Sequence, residues 1–427
     1  MNVVGLITEY NPFHNGHMLH LNMAKKATQS QLCIAVMSGN FVQRGEPALF
    51  NKWVRAKMAI AAGVDLVLEL PTAYATRNAQ FFAWGAVGLL DALGVVTHLC
   101  FGSESGDLSA LQQLTSFLNQ EDPQYKKLIK GHLSSGYILP KARALALEEW
   151  SKNHEDGHLS TWSSLLASPN NVLGIEYLSA LEKWHSSIEP LTVPRLHTNY
   201  HDQQIDSCKQ IASATAIRQH LLQREPLDQL STVLPSSSWH LMEAQIRQGA
   251  GPIFADDLSS LVLAKLRSTD TKQIGTITDI SEGLENRIKV AAHQAIDWQD
   301  LVMKVKTKRY TWSRIQRLLC HFFLGYNQEM AQCFDEAGGP QYIRVLGFNQ
   351  QGKKLLGQIK GQASLPIITH PGPMLKYKSP LNSVGKQMLS LDVLATELYC
   401  LLYPQKNLRT GGLDYITPPV MIDMTPE

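Results

Sequence analysis

The chain has 427 residues, 44% of them apolar, and a formal net charge of +2. That length exceeds one ordinary core and predicts two units or three, and the apolar share supports globular folding throughout. The near-neutral balance excludes a chain that binds nucleic acid through overall charge, so any footprint for a polyanion must be local.

In chain order, "VVGLI" (3–7) predicts a first strand, Asn11-Pro12 a turn, and "MLHLNMAKKA" from Met18 a helix. "LCIAVMSG" reads as a second buried strand, followed by a loop and the helix "NKWVRAKMAIAAG". "VDLVLELP" is a third strand, "AQFFAWGAVGLLDALG" a helix closed by Gly94, and "VTHLCFGSE" a fourth strand. Near-continuous apolar strands between amphipathic helices predict a parallel sheet covered on both faces, a doubly wound α/β fold. From Leu108 to Trp184 the pattern is mostly helical, and 191–202 returns to strand-like residues. "LPSSSW" (234–239) is the best linker candidate, dividing the chain into 1–233 and a mainly α-helical 234–427. In that second part "QYIRVLGFNQQGKKLLGQI" adds a strand and a helix, and the tail from Asn407 reads as irregular.

The six cysteines (Cys33, Cys100, Cys208, Cys320, Cys333 and Cys400) form no CxxC pair, which argues against a zinc site and against a disulfide framework. No metal ligand set is expected from the protein. No apolar run reaches membrane-spanning length, and the opening has no basic segment followed by a small-residue cleavage site. A cytoplasmic protein is expected.

Four polar loops fall at the carboxyl ends of the predicted strands, where doubly wound sheets bind ligands. The first, "TEYNPFHNGH", sets His14 and His17 about a helix start, with Gly16 between them. A helix N-terminus offers free N–H groups and positive dipole, which suits phosphate; the plainer alternative is that both histidines cap the helix. "IASATAIR" (211–218) offers a second such element: Ser213 or Thr215 at the cap and Arg218 in the first turn, either a phosphate ligand or a solvent-facing side chain. Gly102 in "FGSESGD" either lets a nucleotide lie close or makes a simple turn. Asn170 and Asn171 cap a helix or read a base edge, and Arg195 holds phosphate or a salt bridge. The stretch 38–57 carries Arg44, Glu46, Lys52 and Arg55, half of it a substrate loop and half a solvated helix face. Farther on, "MKVKTKRYTWSRIQRLL" gathers Lys304, Lys306, Lys308, Arg309, Arg314 and Arg317 with Tyr310 and Trp312. Such a patch suits RNA backbone contact with base stacking, or is only a solvated face.

The opening loop resembles the GxFDPxHxGH signature of the HIGH-type nucleotidyltransferases. Pro12, His14, Gly16 and His17 match, while Glu9, Tyr10 and Asn11 stand where Gly, Phe and an acid are usual. "IASATAIR" is similar to the late Ser/Thr-x-Ile-Arg element of the same superfamily. Six stretches in order, "EYNPFHNGH", "SGNFVQRGEPA", "DLVLELP", "FGSE", "SPNNVLGIEYL" and "KRYTWSRIQRLL", resemble the bacterial tRNA(Met) cytidine acetate ligase family. The resemblance implies that ATP and acetate form acetyl-adenylate, which the wobble cytidine of elongator tRNA(Met) then attacks through N4. It implies an ATP site made by Ile7, Thr8, Glu9, Tyr10, Asn11, Pro12, Phe13, His14, Asn15, Gly16, His17, Met18, Leu19 and His20 with Gly102, Asn170, Arg195, Ser213 and Arg218. His14 and His17 are the expected catalytic pair, and Mg2+ is expected to accompany ATP. Lys306, Lys308, Arg309, Arg314 and Arg317 are the expected tRNA contacts. Two other readings are an adenylyltransferase acting on a small phosphorylated metabolite and a noncatalytic RNA binder built on a relic nucleotide fold.

Overall fold

The computed structural model describes all residues except 121, 153–158, 196–209, 282, 377–378 and 424–427. Cys208 and the end of the strand-like stretch 191–202 lie outside the described residues. Among the described residues eight strands make one sheet: β1 (Val3–Thr8), β2 (Leu32–Ser38), β3 (Leu66–Leu70), β4 (His98–Ser103), β5 (Glu189–Pro194), β6 (Ile343–Asn349), β7 (Ile367–Ile368) and β8 (Val420–Ile422). The order is β5-β4-β1-β2-β3-β6-β7, with β8 also on β6. The first five are mutually parallel, whereas β6 runs antiparallel to β3 and carries β7 and β8 parallel to itself.

Alternation along the strands divides the core between the two faces. Leu32, Ile34 and Val36 of β2 join Leu66, Leu68 and Leu99 against the helix Ala79–Ala92. Cys33, Ala35 and Met37 turn to the other side, where Leu21, Ala24, Ala56, Ile60, Ile217 and Leu221 cover them. The four N-terminal strands and their helices therefore follow the sequence pattern. The Asn15–Ala27 helix begins three residues before Met18, because His14 caps it.

The sheet crosses the expected division at 233/234, since β6, β7 and β8 all come from the distal part. The 234–239 stretch is no free linker: Leu234 is buried and Ser236 opens the helix Ser236–Gln248. Nor is the tail irregular. Helix Leu413–Ile416 delivers Asp414 into the interior, where it meets Lys52 at 3.0 Å and Arg344 at 2.7 Å, and β8 completes the sheet edge. Helix Lys52–Ala61, expected to be partly solvated, instead buries both Lys52 and Arg55.

The distal helices cap one another with cations. Arg267 donates to Ala292 O and Ala295 O, Lys289 to Leu266 O and Thr269 O, and Arg287 to Val305 O and Lys304 O. Each positive group thus sits on the last carbonyls of a neighbouring helix, where the dipole is negative. Tyr326 OH to Ala73 O and Arg77 to Asp335 (2.7 Å) tie this layer to the loop after β3.

Candidate active site

Where β1 and β4 lie side by side, the chain leaves the two strands for opposite faces, which opens a crevice at their carboxyl ends. The loop after β1 turns sharply: Tyr10 is a non-glycine residue at φ 47 and the Asn11–Pro12 peptide is cis. His14 then caps the Asn15–Ala27 helix. Its Nδ1 accepts from Gly16 N at 3.0 Å, while His17 Nδ1 accepts from His14 N at 3.3 Å. The rings stack with centroids 3.8 Å apart. A neutral imidazole that accepts at Nδ1 carries its proton at Nε2, so these bonds assign both rings as Nε2–H donors. The capping alternative and the donor role are therefore compatible, because each ring caps with one nitrogen and presents the other. Gly16 is required for a reason the sequence did not indicate: a Cβ there would lie 2.8 Å from His14 Cε1, in the space the ring occupies.

Burial, then the positive charge of Arg195 and Arg218, lowers the His14 pKa to about 3. Burial lowers His17 well below its usual value, with His14 and Arg195 adding to the effect. Burial and Arg195 bring His20 down to about 4, and its Nε2 lies 3.9 Å from Cys100 Sγ. Three neutral imidazoles thus stand beside two guanidinium groups, themselves held below their ordinary values chiefly by desolvation. This is a site of positive potential with hydrogen-bond donors, suited to an anion.

Both arginines are fixed from elsewhere in the chain. Arg218 lies in the helix Ala214–Leu222, capped by Ser213 Oγ, and reaches Asn11 O (3.1 Å) and Thr215 Oγ1 (3.1 Å). Asn15 Nδ2 bonds Gln210 O at 2.7 Å, which brings the two helix N-termini together. Arg195 reaches Asn170 Oδ1 at 2.9 Å, and its stem passes 3.1 Å from where Gly102 would carry a Cβ. Asn170 and Asn171 are bound in turn by Glu104, whose carboxylate accepts from both backbone N–H groups. In the sequence Glu104 shows only as the end of the "FGSE" stretch, with nothing to mark it as the partner of Asn170 and Asn171.

The first loop is buttressed by the second. Asn11 Oδ1 accepts from Leu49 N (2.8 Å), so the residue in place of the usual acid points into the scaffold. Glu9 Oε1 accepts from Gln43 N at 2.7 Å. Arg55 is fully buried and donates to the carbonyls of Glu9, Ser38, Gly39 and Phe50, which locks the ends of β1 and β2 together. Ile7 and Thr8 end β1, Tyr10 and Phe13 pack on the His17 ring, and Met18 and Leu19 lie in the first two turns of the helix Asn15–Ala27.

The expected tRNA residues separate into two sets. Lys306, Lys308 and Arg309 are exposed between two helices. Arg314 stacks 4.8 Å over Tyr310 and donates to Asp279 O, and Arg317 is largely buried with Nε unpaired. The helix Trp312–Leu324 nonetheless lies close to the site. Gln316 bonds Glu46 at 2.6 Å, and Gly45 (φ +77) would place a Cβ 2.6 Å from the Arg317 backbone.

A doubly wound sheet with stacked histidines at a helix N-terminus, flanked by arginines at the switch point, defines a nucleotide-binding α/β protein equipped for phosphate chemistry. The chain belongs to the HIGH nucleotidyl transferase family, whose model matches residues 1–413. It is 40% identical over 418 residues to a tRNA(Met) cytidine acetate ligase of Acetivibrio thermocellus, covering 97% of this chain and 98% of that one. A protein of the same name from Thermoanaerobacter sp. is 42% identical, covering 98% and 99%. The crystal structure of Thermotoga maritima TmcAL bound with alpha-thio ATP superposes with a TM-score of 0.92 at 36% identity, covering 99% of this chain and all of that one.

Proposed function

We propose that this chain is a tRNA(Met) cytidine acetate ligase, using ATP to acetylate N4 of the wobble cytidine of elongator tRNA(Met). The observation that carries the reading is the pair of neutral Nε2–H imidazoles between Arg195 and Arg218. In the first step an acetate oxygen bonds to the α-phosphorus and the bond to the β-phosphate oxygen breaks, releasing pyrophosphate. Negative charge accumulates on the phosphoryl oxygens, where His14 and His17 donate hydrogen bonds and the two arginines supply positive field. Keeping the imidazoles neutral holds the donor protons in place without a cation to desolvate. Ile7–His20, Gly102, Asn170, Ser213 and Arg218 bound the nucleotide pocket. Mg2+ would ride on the ATP phosphates, since histidines and arginines dominate the crevice.

In the second step cytidine N4 attacks the acyl carbon, the bond to AMP breaks, and one N4 proton passes to solvent. The amine is a weak nucleophile, so activation of acetate as the mixed anhydride is chemically necessary. The base leaves its stack to reach it. Residues 1–233 carry the chemistry in this reading and 234–427 carry the tRNA contact through Lys306, Lys308, Arg309, Arg314 and Arg317. The setting is the cytoplasm. Pyrophosphate release from ATP with and without acetate, followed by nucleoside mass analysis after incubation with bulk tRNA, tests it. Acetate-independent adenylylation of a small phosphorylated metabolite would favour the other enzyme class.

A further inference from the structure

Strands β4 and β5 run parallel with Ser103 opposite Pro194, so the next residues, Glu104 and Arg195, leave the sheet side by side at its carboxyl edge. Arg195 N bonds Ser103 O at 3.0 Å, which holds that register to its last residue. Asn170, in the first turn of the helix Pro169–Lys183, joins the two side chains. Its Nδ2 donates to Glu104 Oε1 at 2.6 Å, and its Oδ1 accepts from Arg195 Nη1 at 2.9 Å. Among the described residues, Asn170 Oδ1 is the acceptor that the guanidinium meets.

The same carboxylate closes the helix. Ser168 is the N-cap and makes no side-chain cap bond, so Glu104 supplies the acceptors from the neighbouring loop. Oε1 also accepts from Asn170 N at 3.1 Å, and Oε2 from Asn171 N at 2.8 Å. Asn171 is buried and answers with Oδ1, which accepts from Glu104 N at 3.0 Å and Ser105 N at 3.2 Å. A negative group on free N–H donors at the positive end of a helix is favourable in itself. It also assigns the Asn170 amide. An ionised carboxylate only accepts, so the amide turns Nδ2 towards it and Oδ1 towards the guanidinium. A carboxamide at 104 could donate to Oδ1, reverse the amide and set the Nδ2 protons against those of Arg195.

We propose that Glu104 is a positioning residue for the reaction: acting through Asn170, it sets the Arg195 guanidinium where negative charge develops on the phosphoryl group; this rests on the function proposed above. The relay needs the negative charge at 104, whereas a helix cap would be served by any acceptor there. His14, His17 and His20 all lie in the positive field of Arg195, so the place Glu104 gives that group is felt throughout the crevice.

The test is a double-mutant cycle on the full-length protein, with Glu104→Gln, Arg195→Ala and the two combined. Each is read by ATP affinity, by kcat/KM for acetate-dependent pyrophosphate release and by melting temperature. Arg195→Ala should lower kcat/KM on the order of 100-fold. Glu104→Gln should lower it roughly 10- to 100-fold, the cost of displacing a catalytic group by about 1 Å. Its melting temperature should stay within about 3 °C of wild type, because the carboxamide oxygen still accepts from the helix. In the Arg195→Ala background the same change should cost less than about twofold, since the group it positions is gone. ATP affinities should follow the same pattern, and Asn170→Ala, which removes the relay and leaves the carboxylate, should lose at least as much activity as Glu104→Gln. Wild-type kcat/KM in Glu104→Gln or Asn170→Ala would overturn the proposal, as would losses that multiply in the double variant, the mark of a plain cap. A wild-type protein that binds ATP and releases no acetate-dependent pyrophosphate would refute the function proposed above instead, and the ATP-affinity cycle would still test the relay.

Discussion

His14 and His17 each accept a backbone N–H at Nδ1, from Gly16 and from His14 respectively, and their rings stack at 3.8 Å. One arrangement thereby closes a helix and sets two Nε2 protons at its positive end. The structural and chemical roles share the same atoms, and substitutions can separate them.

His14→Asn retains a good cap and loses the Nε2 donor, so stability should stay within about 0.5 kcal/mol of wild type. Acetate-dependent pyrophosphate release should fall on the order of 100- to 1000-fold. His14→Ala should show the same loss of activity with about 1 kcal/mol of destabilisation, read by urea unfolding. His17→Ala should match the asparagine variant in activity. Near-normal turnover in any of these removes the catalytic assignment.

Stability should fall in mild acid. The folded state keeps His14 and His321 neutral down to about pH 3 and His20 to about pH 4, whereas the unfolded chain protonates them near 6.5. Their contribution is complete above that value and is lost as pH falls towards 4 and below, at up to ~1.4 kcal/mol per pH unit for each group. His321 is not among the expected site residues and is bonded to Thr278 and Thr76. His321→Gln should therefore flatten the slope between pH 6 and 4.5, measured by denaturant midpoints, by about one such increment.

Asp414 stands as counterion to Lys52 and Arg344, all three essentially without exposure. Lys52 also meets Glu69 at 2.8 Å, whereas Arg344 has Asp414 as its ion-pair partner; Asp414→Ala therefore strips a carboxylate from two buried cations and should cost about 3–5 kcal/mol. Truncating the chain at residue 410 should do at least as much. Unfolding free energies within about 1 kcal/mol of wild type would show that solvent reaches this cluster.

Lys306 and Lys308 are exposed, whereas Arg314 and Arg317 are engaged by Asp279 O, by Tyr310 or by burial. Replacing the two lysines with Gln should weaken tRNA binding, lower its salt slope by roughly two, and leave the melting temperature unchanged. Arg314→Ala should lower the melting temperature as well. Equal losses of stability in the two variants would mean that the lysines are structural too.

The sequence by itself determined the parallel half of the sheet, its helices and the place of the histidine loop. Those features are local: apolar strands, caps and turn residues act within a few positions of one another. It also determined the family, through motifs whose order is written in the chain. What it could not determine was which distant groups meet. Lys52 looked solvated because its counterion Asp414 lies 362 residues away, and the tail looked irregular for the same reason. The spacing of the histidines did not show why Gly16 lies between them: the ring two residues earlier fills the space a side chain would take. Nor could it show that β6 would close against β3, or that the distal cations would cap neighbouring helices. Long-range pairing depends on the closure of the whole fold, and only the tertiary structure decides whether a charged side chain finds water, a carbonyl or an ion.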